Sequence, residues 1–269
     1  MSAARHATPS RARLDEALVT RGLAETRSQA RAFILAGDVT INGSVAMRAG
    51  DSVRENDQIA LVAKPRFVSR GGEKLAHALE RCEIDVSNRV VADFGASTGG
   101  FTDCLLQAGA RHVYAVDVGR GQLHERLRTD DRVTVLDRTN ARLVTALPSP
   151  VELVTIDVSF ISLRLVLPAA ARVLVTGGTC VPLIKPQFEA GARYVGKGGV
   201  VRDSEVHRRV LGDVLTTAEE LGFGVLGLTR SPLKGPAGNV EFLAHLQLQQ
   251  ESAAIAALID VVLAEGDNR

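Results

Sequence analysis

Tryptophan is absent from this chain; tyrosine and methionine occur twice each, and cysteine three times in 269 residues. Cys82, Cys104 and Cys180 are odd in number and far apart. They define neither a disulfide framework nor a paired zinc-ligand spacing, as expected of a chain kept in a reducing cytosol. The six histidines are scattered, with no pair at helical ligand spacing, so no metal site is expected. No apolar run approaches the roughly 18–20 residues of a membrane-spanning helix; the longest candidate, Leu163 to Val175, is broken by Arg164, Pro168 and Arg172. Met1 to Glu16 carries charges and Pro9 but no apolar stretch, unlike a secretory signal. Neither sign of charge dominates, with 32 basic residues against 31 acidic, and 45% of the chain is hydrophobic, which excludes disorder. The expectation is a soluble cytoplasmic protein with no membrane partner.

The balanced total hides an asymmetry. Residues 1–66 hold ten Lys/Arg against seven Asp/Glu, and the remainder 22 against 24. In the early segment Leu14, Leu18 and Val19 recur at helical spacing, with Gly22 as a C-terminal stop. A second helix starts near Thr26 or Ser28 and turns Ala30, Phe33, Ile34 and Leu35 inward before Gly37. Val39-Thr40-Ile41, Asn42-Gly43 and Ser44-Val45 then read as strand, tight turn and strand. Gly50-Asp51 marks another turn, and Gln58 to Ala63 a last short strand. This predicts a small α+β domain over 1–63 and a linker over 64–68.

From residue 69 onward the pattern changes. Strand-length apolar runs are Val90 to Phe94, Val113 to Val116, Val133 to Leu136, Leu153 to Ile156, Cys180 to Ile184, Phe223 to Leu228 and Phe242 to Leu248. Helical segments fall between them, among them Gly100 to Gln107, Leu163 to Leu174 and Ser204 to Leu221. Such alternation predicts an α/β domain over 69–269, with a mostly parallel sheet covered on both faces. The last two strands are placed to pair as an antiparallel edge.

The first of these strands runs into Asp93-Phe94-Gly95-Ala96-Ser97-Thr98-Gly99-Gly100, and a helix follows. Glycines at a strand-to-helix turn let the backbone approach a ligand near free N–H groups. A dinucleotide fingerprint wants a glycine where Ser97 stands. A hydrolase elbow fits Gly95-Ala96-Ser97-Thr98-Gly99 by letter but has no upstream oxyanion segment. An S-adenosylmethionine loop fits acidic-x-Gly-x-x-x-Gly, with Asp93 serving the amino-acid end of the cofactor. Asp117, closing the next strand 22 residues after Gly95, is placed for a pair of ribose hydroxyls. A plain tight turn capped by Ser97 is the fourth reading. Asp157 and Lys185 end later strands, where a doubly wound sheet keeps its ligand crevice, and Glu241 interrupts an apolar run. A lysine set among carboxylates suits deprotonation of a weak acid such as a ribose hydroxyl.

These residues carry a resemblance. Ser69 to Leu75 (SRGGEKL), Asp93 to Thr102 (DFGASTGGFT), Asp117 to Leu123 (DVGRGQL), Asp137 to Arg142 (DRTNAR), Asp157 to Leu163 (DVSFISL), Lys185 to Glu189 (KPQFE) and Gly238 to Glu241 (GNVE) resemble the TlyA family over roughly residues 11–265. That family comprises ribosomal RNA 2′-O-ribose methyltransferases, also called haemolysin-like proteins. The resemblance implies an RNA-binding N-terminal domain of ribosomal-protein type and a Rossmann-like, S-adenosylmethionine-dependent methyltransferase domain. It places a catalytic tetrad on Lys74, Asp157, Lys185 and Glu241; in the reading drawn from it, Lys74 and Lys185 together orient and deprotonate the hydroxyl, Lys185 being favoured over Lys74 as the base, and Asp157 and Glu241 hold and tune the lysines. It places cofactor contacts on Asp93, Gly95, Ala96, Ser97, Thr98, Gly99, Gly100 and Asp117, and the adenine end near Asp137 and Asn140. The implied substrate is a cytidine in assembled ribosomal subunits. One departure stands out: the family often carries Arg-x-Trp ahead of the methyltransferase domain, and here the segment is Arg66-Phe67-Val68.

Arg11, Arg13, Arg27 and Arg31 are candidates for RNA phosphate contacts, joined by Arg70. The scarcity of aromatic residues points to structured RNA read by shape and backbone. The rival readings are a non-catalytic RNA-binding assembly factor and a membrane-lytic haemolysin. A base N-methyltransferase is a nearer rival, because Asp157-Val158-Ser159-Phe160 stands where those enzymes place Asp/Asn-Pro-Pro-Tyr/Phe; both prolines are missing.

Overall fold

Leu14, Ala17 and Leu18 lie one helical turn apart and are buried together on α1 (Leu14–Thr20). Past its end Gly22 takes φ +70°, and the Leu23 amide reaches back to the Leu18 carbonyl, so the stop read from Gly22 forms. In α2 (Arg27–Leu35) Ala30 and Ile34 face the same core, and the Thr26 hydroxyl accepts from the Gln29 amide as a cap. The strands β2 (Val39–Ile41) and β3 (Ser44–Val45) are joined through Asn42 and Gly43, both at positive φ, and β5 (Ile59–Leu61) pairs on the other side of β2. Two further strands, β1 (Arg11–Arg13) and β4 (Ser52–Arg54), pair antiparallel. They have no apolar alternation beyond Val53, so the sequence pattern does not mark them.

The computed structural model describes residues 11–35, 38–46, 48–61, 66–235 and 237–265. Gly37, Val62, Ala63 and the linker residues Lys64 and Pro65 lie outside them. The chain divides into two compact units between Pro65 and Arg66. The division assigns Arg66–Val68, expected in the linker, to the second unit. The physical reason is that Phe67 is buried there in an apolar cluster with Leu75, Phe101 and Leu105, while the Val68 amide donates to Asp103. A side chain on Gly72 would run into the Phe67 ring.

The second unit is built on a seven-stranded sheet. β6 (Val90–Phe94), β7 (His112–Val116), β8 (Val133–Leu136), β9 (Val151–Ile156) and β10 (Leu174–Ile184) run parallel, in the spatial order β10-β9-β6-β7-β8. β11 (Phe223–Arg230) and β12 (Phe242–Leu248) pair antiparallel as expected, but β12 also pairs with β10 and lies inside the sheet, leaving β11 at the edge. Val91, Leu153, Val181 and Leu183 face one apolar layer, and Ala92, Phe94, Val154, Ile156 and Ile184 the other. This period of two, apolar on both sides, is what a sheet covered on both faces requires. α3 (Gly71–Arg81), α4 (Gly100–Gln107) and α5 (Glu125–Arg128) cover the first face. α6 (Leu167–Val173), α8 (Ser204–Glu220) and α9 (Ile255–Ala264) cover the second.

Two expected elements differ in detail. The helix expected over 163–174 is split into a 3₁₀ turn, Leu163–Leu165, and α6, because Pro168 has no amide to continue the turn before it. The strand expected from Cys180 begins at Leu174, with an irregular register before Thr179 and Gly177-Gly178 interrupting its apolar pattern.

Candidate active site

The chain leaves β6 toward β7 and β8 on one side and returns to β9 on the other. That reversal opens a crevice at the carboxyl ends of the strands, where doubly wound sheets bind ligands. Two cavities occupy it, of about 520 Å³ and 430 Å³. They share Gly95, Ser97, Asp157 and Ser159 and so meet over the loops that follow β6 and β9.

The larger cavity is walled by Lys74, Asp157, Lys185 and Glu241. Lys74 lies in the second turn of α3 and Glu241 just ahead of β12; their Nζ and Oε2 atoms are 2.5 Å apart, with Glu241 only 1% exposed. Lys185 follows β10, and its Nζ is 2.6 Å from Asp157 Oδ1 in an oblique ion pair while donating to Ser159 Oγ at 3.0 Å. Antiparallel pairing explains how these groups meet: Ile184 of β10 lies opposite Phe242 of β12, so the residues flanking them, Lys185 and Glu241, fall at the same end of the sheet. Arg70 and Lys234 also line this cavity, and Arg70 donates to the Lys234 carbonyl. The cavity therefore holds two neutralised lysine–carboxylate pairs plus two further cationic side chains.

Gly95, Ala96, Ser97, Thr98 and Gly100 line the larger cavity as well. Gly95 has φ +87°, and a Cβ there would fall 2.5 Å from the Asp157 carbonyl oxygen, so no other residue fits without moving a backbone. Gly99 lines neither cavity and serves instead as the left-handed cap of α4.

The smaller cavity is lined by Asp117, Val118, Gln122 and Asn140, with Ile161 and Val166 supplying apolar wall. Asp117 accepts from the amides of Ser97 and Gly119, at 2.8 and 2.7 Å, which fixes the plane of its carboxylate. An anchored carboxylate, glycine-lined backbone and an apolar wall suit the ribose, amino-acid chain and adenine of S-adenosylmethionine.

Other expected positions lie elsewhere. Asp93 lines neither cavity; it is fully buried, with hydrogen bonds from Thr102 Oγ1 at 2.7 Å and Thr155 Oγ1 at 2.9 Å. Burial pushes its carboxyl up to about 7, against the lowering effect of the two hydroxyls. Its two hydroxyl partners, on β9 and in α4, hold it at the base of the glycine loop. Asp137 likewise lines neither cavity, and holds the Gly121 amide and Arg128. Arg13, Arg27 and Arg31 all converge on Asp15, which is fully buried, at 3.0–3.1 Å, while their side chains stay about half exposed. Burial would raise the Asp15 carboxyl, but the three guanidiniums outweigh it and hold it well below the usual carboxylate range. Arg11 is exposed on β1.

Sequence reasoning missed Ser159 and Lys234 as members of the site, and Phe160, which is 91% exposed at φ +62° on the rim of the smaller cavity. Ser159 and Phe160 lie inside a motif already singled out; nothing in the sequence marks Lys234.

Sheet order, glycine loop and paired cavities define an S-adenosylmethionine-dependent methyltransferase of Rossmann-like topology. Residues 67–248 match the FtsJ-like methyltransferase family, and residues 12–59 match the S4 domain. The chain belongs to the FtsJ-like methyltransferase family, with an S4 domain ahead of it. It is 48% identical over 250 residues to a 16S/23S rRNA (cytidine-2′-O)-methyltransferase, TlyA, of Mycobacterium tuberculosis, covering 91% of this chain and 93% of that one. It is 41% identical over 239 residues to Hemolysin A of Brachyspira hyodysenteriae, covering 87% and 98% respectively. A solved structure from Streptococcus thermophilus, described under the name hemolysin, superposes with a TM-score of 0.74 at 44% identity and covers 96% of both chains.

Proposed function

We propose that the protein methylates a ribose 2′-hydroxyl of ribosomal RNA, on a cytidine in an assembled subunit, with the S4 domain gripping structured RNA. The observation that carries this reading is the pair of lysine–carboxylate contacts, Lys74–Glu241 and Lys185–Asp157, on the wall of one cavity. That cavity adjoins the pocket whose residues suit the methyl donor. Bound S-adenosylmethionine supplies an electrophilic methyl group on a sulfonium. Asp117, Asn140 and the loop from Gly95 to Gly100 would hold it.

A ribose hydroxyl is a weak acid, so the protein must remove its proton while holding the oxygen in line with the methyl group. Lys185, once it has released to solvent the proton it carries in the ion pair with Asp157, accepts that of the hydroxyl at Nζ. Asp157 and Ser159 fix the position of Nζ, and Asp157 stabilises the ammonium that results. Lys74, anchored by Glu241, steadies the developing oxyanion from its own side of the cavity. Arg70 and Lys234 draw in the phosphodiester on either side of the target ribose. Base chemistry is less well served, because the Asp157 to Phe160 segment lacks the paired prolines. Among the described residues no helix is long and apolar enough to cross a membrane, so no described helix supports a lytic reading.

The test is transfer of labelled methyl from S-adenosylmethionine to unmodified ribosomal subunits, mapped by resistance of the RNA to alkaline cleavage. A labelled, alkali-resistant cytidine is the expected result. Label without resistance moves the chemistry to a base. Binding of subunits without label leaves an assembly factor.

A further inference from the structure

Lys185 and Glu189 bracket a single helical turn, α7 (Pro186–Glu189), that begins where β10 ends. Lys185 is the extended N-cap of that turn and Glu189 its last residue. Glu189 is 9% exposed and has no lysine, arginine or histidine partner among the described residues, so its carboxylate must be stabilised by other hydrogen bonds. Those bonds are specific: Oε2 accepts from Ser162 Oγ at 2.6 Å and Oε1 from the Leu163 amide at 2.8 Å. Ser162 Oγ in turn accepts from the Arg164 amide, so the head of the 3₁₀ turn Leu163–Leu165 is tied to Glu189 both directly and through Ser162.

The same helical turn touches the loop after β9 at two more points. Lys185 donates to Ser159 and pairs with Asp157, and the Phe188 ring packs on Phe160 at 5.1 Å between centroids. Phe160 has φ +62°, a conformation that bulky residues adopt only when their surroundings impose it. The loop is therefore bolted at 157–159, at 160 and at 162–163, and each bolt comes from the five residues 185–189.

We propose that Glu189 is a positioning residue for methyl transfer: it cross-braces the ends of β9 and β10, so that Asp157 and Ser159 hold Lys185 Nζ at one point. Glu189 reaches neither cavity and acts entirely through the loop. The proposal rests on the reading of Lys185 as the base, and its test separates the two.

In the full-length protein, kcat and KM for ribosomal subunits, the Kd for S-adenosylmethionine and the thermal midpoint are measured for Glu189→Ala, Glu189→Gln, Ser159→Ala and the double variant Glu189→Ala/Ser159→Ala. Glu189→Ala is expected to lower kcat at least tenfold, with a smaller effect on KM. Glu189→Gln, which keeps an acceptor for the Leu163 amide and a donor toward Ser162, restores most of it. In the Ser159→Ala background the loss from Glu189→Ala shrinks, because the brace acts through the residue already removed. Additive losses that track the thermal midpoint would overturn the proposal and leave Glu189 a purely structural group. Hydrogen exchange of the amides of residues 158–163 decides the brace independently of turnover: Glu189→Ala exposes them, and unchanged protection overturns the brace. A wild-type protein that binds S-adenosylmethionine and transfers nothing sinks the functional reading, while the exchange result still rules on Glu189.

Discussion

Glu241 and Lys74 meet at 2.5 Å although 167 residues separate them, and Glu241 is almost wholly withdrawn from solvent. Removing one member of such a pair leaves the other charge unbalanced, which typically costs about 3–5 kcal/mol, whereas an apolar pair of similar size can be neutral or better. Glu241→Ala is thus expected to lower both stability and turnover. Lys74→Met/Glu241→Leu is expected to recover the thermal midpoint without recovering transfer. Recovery of both would show that the pair is scaffolding alone.

Lys185→Ala is expected to reduce methyl transfer by a factor on the order of 10²–10⁴, the usual contribution of a positioned base. It should leave the Kd for S-adenosylmethionine within a few-fold, since Lys185 lines the larger cavity and not the smaller. Isothermal titration beside single-turnover transfer separates the two quantities. Retained turnover removes Lys185 from the mechanism.

The two units should respond to acid in opposite ways. In the first, the Asp15 carboxyl is held below its ordinary value of 3.8, so its contribution is fully present above that value and is lost progressively as pH falls below it toward the lowered native value. In the second, Asp93 is pushed up to about 7. Between pH 4 and 7 native Asp93 keeps a proton that the unfolded chain has released, so stability falls as pH rises across that window and levels off above it. Asp93→Asn is expected to flatten this slope, with an upper bound on the order of 4 kcal/mol at pH 8. Calorimetry of the variant from pH 4 to pH 8 checks the sign.

Arg13, Arg27 and Arg31 keep half-exposed guanidiniums while sharing Asp15. If roughly six phosphates are contacted over the whole protein, affinity for ribosomal RNA is expected to fall about a thousandfold between 50 and 200 mM salt. A flat salt response would contradict backbone recognition. Arg27→Gln and Arg31→Gln should each lower the slope by about one phosphate, and an unchanged slope assigns those arginines to Asp15 alone.

Where local chemistry and tertiary structure agree, the sequence is easy to read. α4 is delimited by Gly99 at one end and by the last inward-facing leucines at the other, and its bounds match those expected from spacing. β6, β8 and β12 are strand-length segments rich in apolar residues, broken only by Asp93, by Thr134 and by His245 and Gln247 respectively, and their bounds also match. By contrast α3 opens with Gly71-Gly72, poor helix formers, and is helical because Leu75, Ala78 and Leu79 gain burial against the sheet. α9, also absent from the pattern reading, is apolar on nearly every face. In the site, one-dimensional spacing cannot say which way a strand-end carboxylate points. Asp93 and Asp117 look alike in sequence, yet one supports the loop from inside and the other lines the pocket. Nor can it show that arginines at 13, 27 and 31 share one buried aspartate, because packing of α1 against α2 creates that convergence.

The insertion of β12 between β10 and β11 bears on the order of assembly. A chain emerging from its N-terminal end completes β6 through β10 with Lys74, Asp157 and Lys185 already made, yet Glu241 arrives only with the final hairpin. Until residues 242–248 slot into the gap, Lys74 has no counter-charge and β10 has an open edge. On the proposed reading, a nascent chain that stops short of Glu241 would lack one of the four side chains of the site, and competence to modify RNA would be acquired only when β12 completes the sheet.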